Sequence, residues 1–207
     1  TNKHSLLIHL GMTGNLRVSN TLSLSKHDHM AFSLSSEKHL IFNDVRRFGL
    51  MLIVKEGEKI DLLENTGPDP FERDANYEYF YKKINKSKST IKSILLNSKI
   101  ISGIGNIYAC EILFASKISP LKIGSSVTQS ECKTILKNSK KILKKAINAG
   151  GTTLNDYFNV DAKPGYFKIH LNVYGRVSKD CRKCAQKIKR IIQNGRSTFF
   201  CSKCQLK

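Results

Sequence analysis

Cys181-Arg-Lys-Cys184, sixteen intervening residues and Cys201-Ser-Lys-Cys204 constrain this chain more than any other stretch. Each pair can bend around one side of an ion, and the chain between them is long enough for two short strands that bring the second pair opposite the first. That is the pattern of a tetrahedral four-thiolate zinc ribbon. With four protein thiolates no position is left for water, so one Zn2+ held by Cys181, Cys184, Cys201 and Cys204 is structural. Two disulfides are the alternative, and they need an oxidising compartment, for which no secretory signal is seen. A redox dithiol needs one pair only. Cys110 and Cys132 fall within helical patterns and read as core or free thiols. Reducing, intracellular conditions are therefore expected.

Charge says what such a clip supports. The chain of 207 residues has a net charge of +19, unevenly spread: residues 1–81 hold 9 Lys and Arg against 11 Asp and Glu, and residues 82–207 hold 26 against 5. A one-sided surplus of this kind is the footprint of a polyanion binder, most often of nucleic acid. Solvated lysines in a Lys-, Ile- and Asn-rich chain would give the same count. No apolar run approaches the 18 residues of a membrane span.

The hydrophobic period divides the chain. Leu6–Leu10, Leu16–Val18, His29–Leu34, His39–Phe42 and Leu50–Val54 are short β-rich runs separated by Gly, Asn, Ser and charge, which predicts an antiparallel sheet domain. Gly67-Pro68-Asp69-Pro70 punctuates the chain. Beyond it, Asn76–Ile84, Thr90–Leu96, Asn106–Lys117 and Thr128–Ala149 read as helices. The last has Cys132, Ile135, Leu136, Ser139, Ile142, Leu143, Ala146 and Ile147 on one face and Lys133, Lys137, Lys140, Lys141, Lys144 and Lys145 on the other. Such a lysine face by itself reads as solvated surface. The class is α+β, divided as residues 1–66 (sheet domain), 67–75 (linker), 76–175 (helical domain) and 176–207 (zinc ribbon).

Several stretches carry chemistry. In Gly103-Ile-Gly105-Asn106 two glycines allow a tight turn and Asn106 can cap the following helix, so free amides meet a phosphate there; a plain helix–helix turn is the alternative. Arg46-Arg47-Phe48 joins backbone-binding cations to an aromatic able to wedge open a base step, although a lone Phe is more often core. Met12, between Gly11 and Gly14, is either a flexible apolar tip or a buried Met. His27 and His29 share a strand face with no evident third metal ligand, which favours surface roles, one of them at a phosphate. Glu111 is a lone carboxylate in a basic helix, either a general base or, more in keeping with its setting, a partner for a lysine or an amide. Together these residues describe a zinc-stapled nucleic-acid binder without specifying a reaction; a zinc-ribbon RNA-binding protein fits the same set.

Taken in order, His9-Leu-Gly-Met12-Thr-Gly14, Lys26-His27-Asp-His29, Asp44-Val-Arg46-Arg47-Phe48-Gly49, Gly103-Ile-Gly-Asn106-Ile-Tyr108, Lys163-Pro-Gly165-Tyr166-Phe167, Val173-Tyr174-Gly175-Arg176 and Gly195-Arg196-Ser-Thr-Phe-Phe-Cys201 resemble the formamidopyrimidine-DNA glycosylase family, and its oxidised-purine branch rather than endonuclease VIII. The resemblance implies an N-terminal β-sandwich, a helix–two-turn–helix domain and a zinc finger, with double-stranded DNA containing an oxidised purine or abasic site in the cleft between. It implies a monomeric base-excision repair enzyme, a DNA glycosylase and AP lyase that removes 8-oxoguanine and formamidopyrimidines and nicks by β,δ-elimination. By the same resemblance Met12, Arg46 and Phe48 fill the space left by the flipped nucleotide. Asn106 and Arg196 grip the flanking phosphates with His9, His27, Tyr174 and Arg190 assisting, Arg47 contacts DNA, Lys88 and Lys92 contact DNA or tune the lesion pocket, and Lys163 to Tyr166 cover the base. Arg196 is also the candidate proton donor for δ-elimination.

One departure touches the reaction itself. The family's nucleophile is an N-terminal proline amine, followed by glutamate, with a lysine ahead of the first matching strand, and none of the three is among these residues. The expectation is a truncated sandwich domain, inactive alone, from a longer enzyme; a natural DNA-binding form without lyase activity is the alternative.

Overall fold

The computed structural model describes residues 3–151 and 171–206. The expected Lys163 and Tyr166 sites, with the whole Lys163–Phe167 loop, lie outside the described residues. The chain divides into two compact units, Thr1–Ile60 with Ala146–Ile169, and Asp61–Lys145 with His170–Lys207. Among the described residues no helix is long and apolar enough to cross a membrane.

In the first unit the short apolar runs become β1 (His4–His9), β2 (Asn15–Ser19), β3 (Asp28–Ser33), β4 (His39–Asn43) and β5 (Leu50–Lys55). β1 pairs antiparallel with β5, with His9 opposite Leu50, while β4 is the centre of a β2-β4-β3 sheet in which Phe42 faces Leu16 and Leu40 faces Phe32. Ile41 and Phe42 on β4 are buried, as a central strand's apolar residues should be. Arg17 on β2 holds Asp28 on β3 through two bonds of 2.6 and 2.7 Å. That bidentate contact, with help from Ser25 and Asn43, keeps the Asp28 carboxyl well below the usual carboxylate range.

The second unit begins with α1 (Asp61–Glu64), a single turn too short to show a period in the sequence. α2 (Tyr77–Ile84) starts where Asn76 accepts from the Tyr79 amide, and α3 (Ile91–Leu95) starts at Thr90 in the same way. α4 (Asn106–Ser116) ends on Lys117 in the left-handed conformation. α5 (Gln129–Asn148) opens with a reciprocal box: the Thr128 amide donates to Glu131 and the Glu131 amide to Thr128 Oγ1.

These helices lie within a residue or two of the expected ones, with two corrections. Asn106 does not cap α4, because Gly105 holds the cap position with no side-chain bond and Asn106 is already helical. Ile147 is 67% exposed rather than core, since it sits in the last turn of α5, past Leu143 and Ala146.

α4 is apolar nearly all round because it is covered on two sides. Ala109, Ile112 and Leu113 join the helical core with Phe80, Ile91, Leu95 and Ile135. Cys110 and Phe114 join a second core with Val173, Cys181, Ile188, Phe199 and Cys201. The ribbon hairpin, β6 (Lys189–Gln193) and β7 (Arg196–Phe200), is therefore seated on α4 rather than standing alone. Its two-residue turn, Asn194-Gly195, has positive φ at both positions, the conformation that makes Asn-Gly the favoured pair for a tight hairpin. Cys110 and Cys132 are both free and buried.

Candidate nucleic-acid interface and zinc centre

The four ribbon cysteines bring their sulfurs within 4.8 Å of one another, with Cys181 to Cys204 at 3.9 Å and Cys184 to Cys201 at 3.5 Å. A tetrahedral ion with Zn–S near 2.3 Å requires sulfurs about 3.8 Å apart, so the set fits one zinc, whereas a disulfide needs about 2.05 Å. The Lys183 amide points at Cys181 Sγ and the Cys204 amide at Cys201 Sγ, both at 3.5 Å, which stabilises thiolates. The ribbon is anchored below the metal by Gln205, whose Nε2 donates to the Ile118 carbonyl while its Oε1 accepts from the Cys201 amide. His27 and His29 form no comparable cluster among the described residues; His29 Nε2 instead meets the Asp44 carbonyl at 2.8 Å.

Asp44 proves to be the hub of the first unit's candidate residues, a role that its place in the Asp44–Gly49 run did not disclose. Its carboxylate is almost fully buried, yet accepts from Thr13 Oγ1 at 2.6 Å, from the Gly49 amide at 2.7 Å and from the Arg46 amide at 3.3 Å. Burial alone would raise its pKa, but these bonds together with one from Arg47 outweigh it and hold the group charged below its ordinary value. The loop carrying Met12 is thereby fastened to the loop carrying Arg46, Arg47 and Phe48. Gly11, with φ +63, allows the closest approach, since a Cβ there would come within 2.6 Å of the Phe48 backbone.

What these loops present is apolar and exposed: Met12 is 71% and Phe48 57% accessible, and the Arg46 guanidinium lies 4.9 Å over the Phe48 ring. Nearby, His9 Nδ1 accepts from the Gly11 amide, so in the neutral ring the exposed Nε2 carries the hydrogen. His27 is half-buried and its carbonyl accepts from the Asp44 amide.

In the second unit three residues converge on Ser197, the neighbour of Arg196. Asn106 Nδ2 donates to the Ser197 carbonyl at 3.0 Å, Lys92 Nζ donates to the same carbonyl at 3.2 Å and to Thr198 Oγ1 at 2.7 Å, and Arg190 Nε reaches Ser197 Oγ at 3.1 Å. The Gly103–Asn106 turn and the ribbon tip thus form one unit, with the exposed Arg196 beside it.

Lys92 differs from a simple DNA contact: it is 1% exposed, and its ammonium is directed at the ribbon backbone. Burial lowers its pKa, the Cys110 thiol opposes this and the Arg196 guanidinium adds to the lowering. Lys92 and Arg196 line one small pocket, and their like charges leave a field that an anion would relieve. Lys88 is exposed, and Tyr174 packs edge-on against Phe199 with centroids 4.9 Å apart.

Glu111 has no freedom to act as a base. It is 3% exposed, and its two oxygens accept from the amides of Asn172, Val173 and Tyr174 and from Asn172 Nδ2, at 2.8 to 3.1 Å. It is the amide partner that its setting suggested, and it fixes the segment leading into the ribbon.

Three family models match in chain order: the formamidopyrimidine-DNA glycosylase N-terminal domain at residues 1–51, the formamidopyrimidine-DNA glycosylase H2TH domain at 66–157, and the zinc finger found in FPG and IleRS at 178–206. Formamidopyrimidine-DNA glycosylase of Wolbachia pipientis is 43% identical over 202 residues, covering 97% of this chain and 74% of the relative. The chain belongs to the formamidopyrimidine-DNA glycosylase family.

The Legionella pneumophila (strain Lens) member is 44% identical over 205 residues, covering 98% of this chain and 75% of its own length. Among solved structures, MutM (Fpg) of Thermus thermophilus superposes with a TM-score of 0.89 at 35% identity, covering 98% of this chain and 76% of that one. Lactococcus lactis Fpg in complex with abasic-site DNA gives 0.88 at 32%, covering 99% and 76%. The chain thus spans about three quarters of the length of these relatives. Family membership accounts for the architecture described above, a β-sandwich part, an H2TH helical part and a structural zinc held by four cysteines.

Proposed function

We propose that this protein acts in base-excision repair as a DNA glycosylase and AP lyase, removing oxidised purines such as 8-oxoguanine and formamidopyrimidines and nicking the strand by β,δ-elimination. The observation that carries the reading is the braced cationic grip around Ser197, with the exposed Arg196 beside it, within a family whose solved members include one bound to abasic-site DNA. Met12, Arg46 and Phe48 enter the space left by the extruded nucleotide, and Asp44 keeps their two loops in register. Arg196 and the turn at Asn106 hold flanking phosphates, while Lys92 acts from behind by fixing the Ser197 backbone.

His9, His27, Arg47, Lys88, Tyr174 and Arg190 are assigned secondary contacts with the DNA backbone, Lys163 and Tyr166 the cover of the flipped base, and Arg196 the proton donation in δ-elimination. In this reading the residues named here supply binding, extrusion and electrostatics.

Borohydride treatment of the full-length gene product on an 8-oxoguanine duplex tests the enzymatic reading. A covalent adduct is expected, and binding without one would leave a damaged-DNA binder instead. Arg196→Ala tests the grip: removing one phosphate contact should lower affinity and reduce the slope of log K against log salt by about 0.9. An unchanged slope would remove Arg196 from the set of phosphate-binding residues.

A further inference from the structure

α5 carries a row of lysines that the lesion site does not use. Lys133, Lys137, Lys140, Lys141, Lys144 and Lys145 are all exposed, and at 100° per residue Lys133, Lys137, Lys140 and Lys144 fall within about 60° of arc, a straight ridge along the helix. From Cys132 to Asn148 the helix contains no carboxylate. Glu131, just before, is engaged by Lys122 at 2.7 Å, and Lys133 lies 4.1 Å over the Tyr77 ring. Lys137, Lys140, Lys141, Lys144 and Lys145 make no ion pair among the described residues.

Solvation is the ordinary explanation of a lysine face, but it leaves two features unexplained. Lysines three and four apart repel one another on a helix, and this row contains six such pairs with no interleaved acid. Only Lys145 lies in the last turn, where the helix dipole favours a cation. An elongated anion would offset this repulsion.

The geometry selects among anions. The opposite face of α5, with Cys132, Ile135, Leu136 and Leu143, is sealed in the helical core, so the helix has no apolar face to lay into a bilayer as an interfacial helix must. From Lys133 to Lys144 the rise is about 16 Å at 1.5 Å per residue, the axial span of about five phosphates on one strand at 3.4 Å each. A rigid, regularly charged rod fits this better than a flexible acidic peptide.

We propose that the lysine row of α5 is a second, sequence-independent contact for the DNA duplex backbone, separate from the Arg196 and Asn106 grip. It rests on the reading of the protein as a DNA-binding enzyme, and it assigns the row to capture of undamaged duplex rather than to lesion recognition.

The test is the full-length protein with Lys137, Lys140, Lys141 and Lys144 all changed to Gln, compared with the same four changed to Arg. Binding to undamaged and to 8-oxoguanine duplex is followed by fluorescence anisotropy over a range of KCl. The Gln variant should bind undamaged duplex at least about tenfold more weakly at low salt, with a slope smaller by about 2 to 4, at about 0.9 for each phosphate no longer neutralised. Its ratio of lesion to undamaged affinity should stay at the wild-type value, and the Arg variant should keep the slope. An unchanged slope with lesion binding intact overturns the second contact and leaves the repair reading standing. A wild type that binds neither duplex overturns both. Loss of binding to phosphatidylserine vesicles with an unchanged duplex slope overturns the proposal in favour of a membrane surface.

Discussion

Zinc chelation, or Cys201→Ser, is expected to unfold the ribbon and abolish tight DNA binding. Cys201 is fully buried in the core formed with Cys110, Phe114, Val173 and Phe199, so the change removes a metal ligand and places a hydroxyl in an apolar setting at the same time. β6 and β7 have five residues each, too few to persist without the metal and the α4 surface beneath them. Apparent binding free energies of about 10–16 kcal/mol for structural zinc in finger peptides exceed what such a hairpin could recover by packing. With the hairpin goes the Ser197 carbonyl that receives Lys92 and Asn106, and with it the placement of Arg196. Zinc release titrated with a colorimetric chelator, alongside near-UV circular dichroism and anisotropy on an abasic-site duplex, checks this. Retention of wild-type affinity by metal-free protein would show that the ribbon is not part of the grip.

Glu111→Ala is the second large effect, here on stability. The substitution strips three backbone amides, of which Val173 belongs to a fully buried residue, of their shared acceptor. Each unsatisfied buried donor costs about 1–3 kcal/mol, and a loss of about 3–5 kcal/mol in total is expected. Glu111→Gln should recover part of it, because the Gln carbonyl can accept from some of these amides while its NH2 faces others unfavourably. Thermal unfolding and amide exchange at 172–174 measure the two together. A melting temperature for the Ala variant indistinguishable from wild type would mean that water replaces the carboxylate at no cost.

Much of this molecule could be read residue by residue. The strands announced themselves because short β-rich runs stand between Gly, Asn and Ser, and the helices because Asn76, Thr90 and Thr128 cap apolar runs of helical period. The four cysteines were legible because two Cys-x-x-Cys pairs leave few alternatives to a tetrahedral metal. The lysine face of α5 was equally visible, and its meaning was not.

Long-range pairings were hidden. Thr13 and Asp44 are 31 residues apart, Glu111 and Asn172 are 61 apart, and Lys92 and Thr198 are 106 apart, and no periodicity or motif spacing encodes such partners. A lysine among lysines looks solvated until the fold buries it, as with Lys92, and a Phe beside two arginines looks like core until the fold exposes it, as with Phe48. The sequence by itself determined the metal ligands, the longer elements and the sign of the charge, because each follows from local chemistry. Tertiary structure alone decided which polar side chains face solvent and which brace the others, because burial and hydrogen-bond partners depend on where distant segments meet.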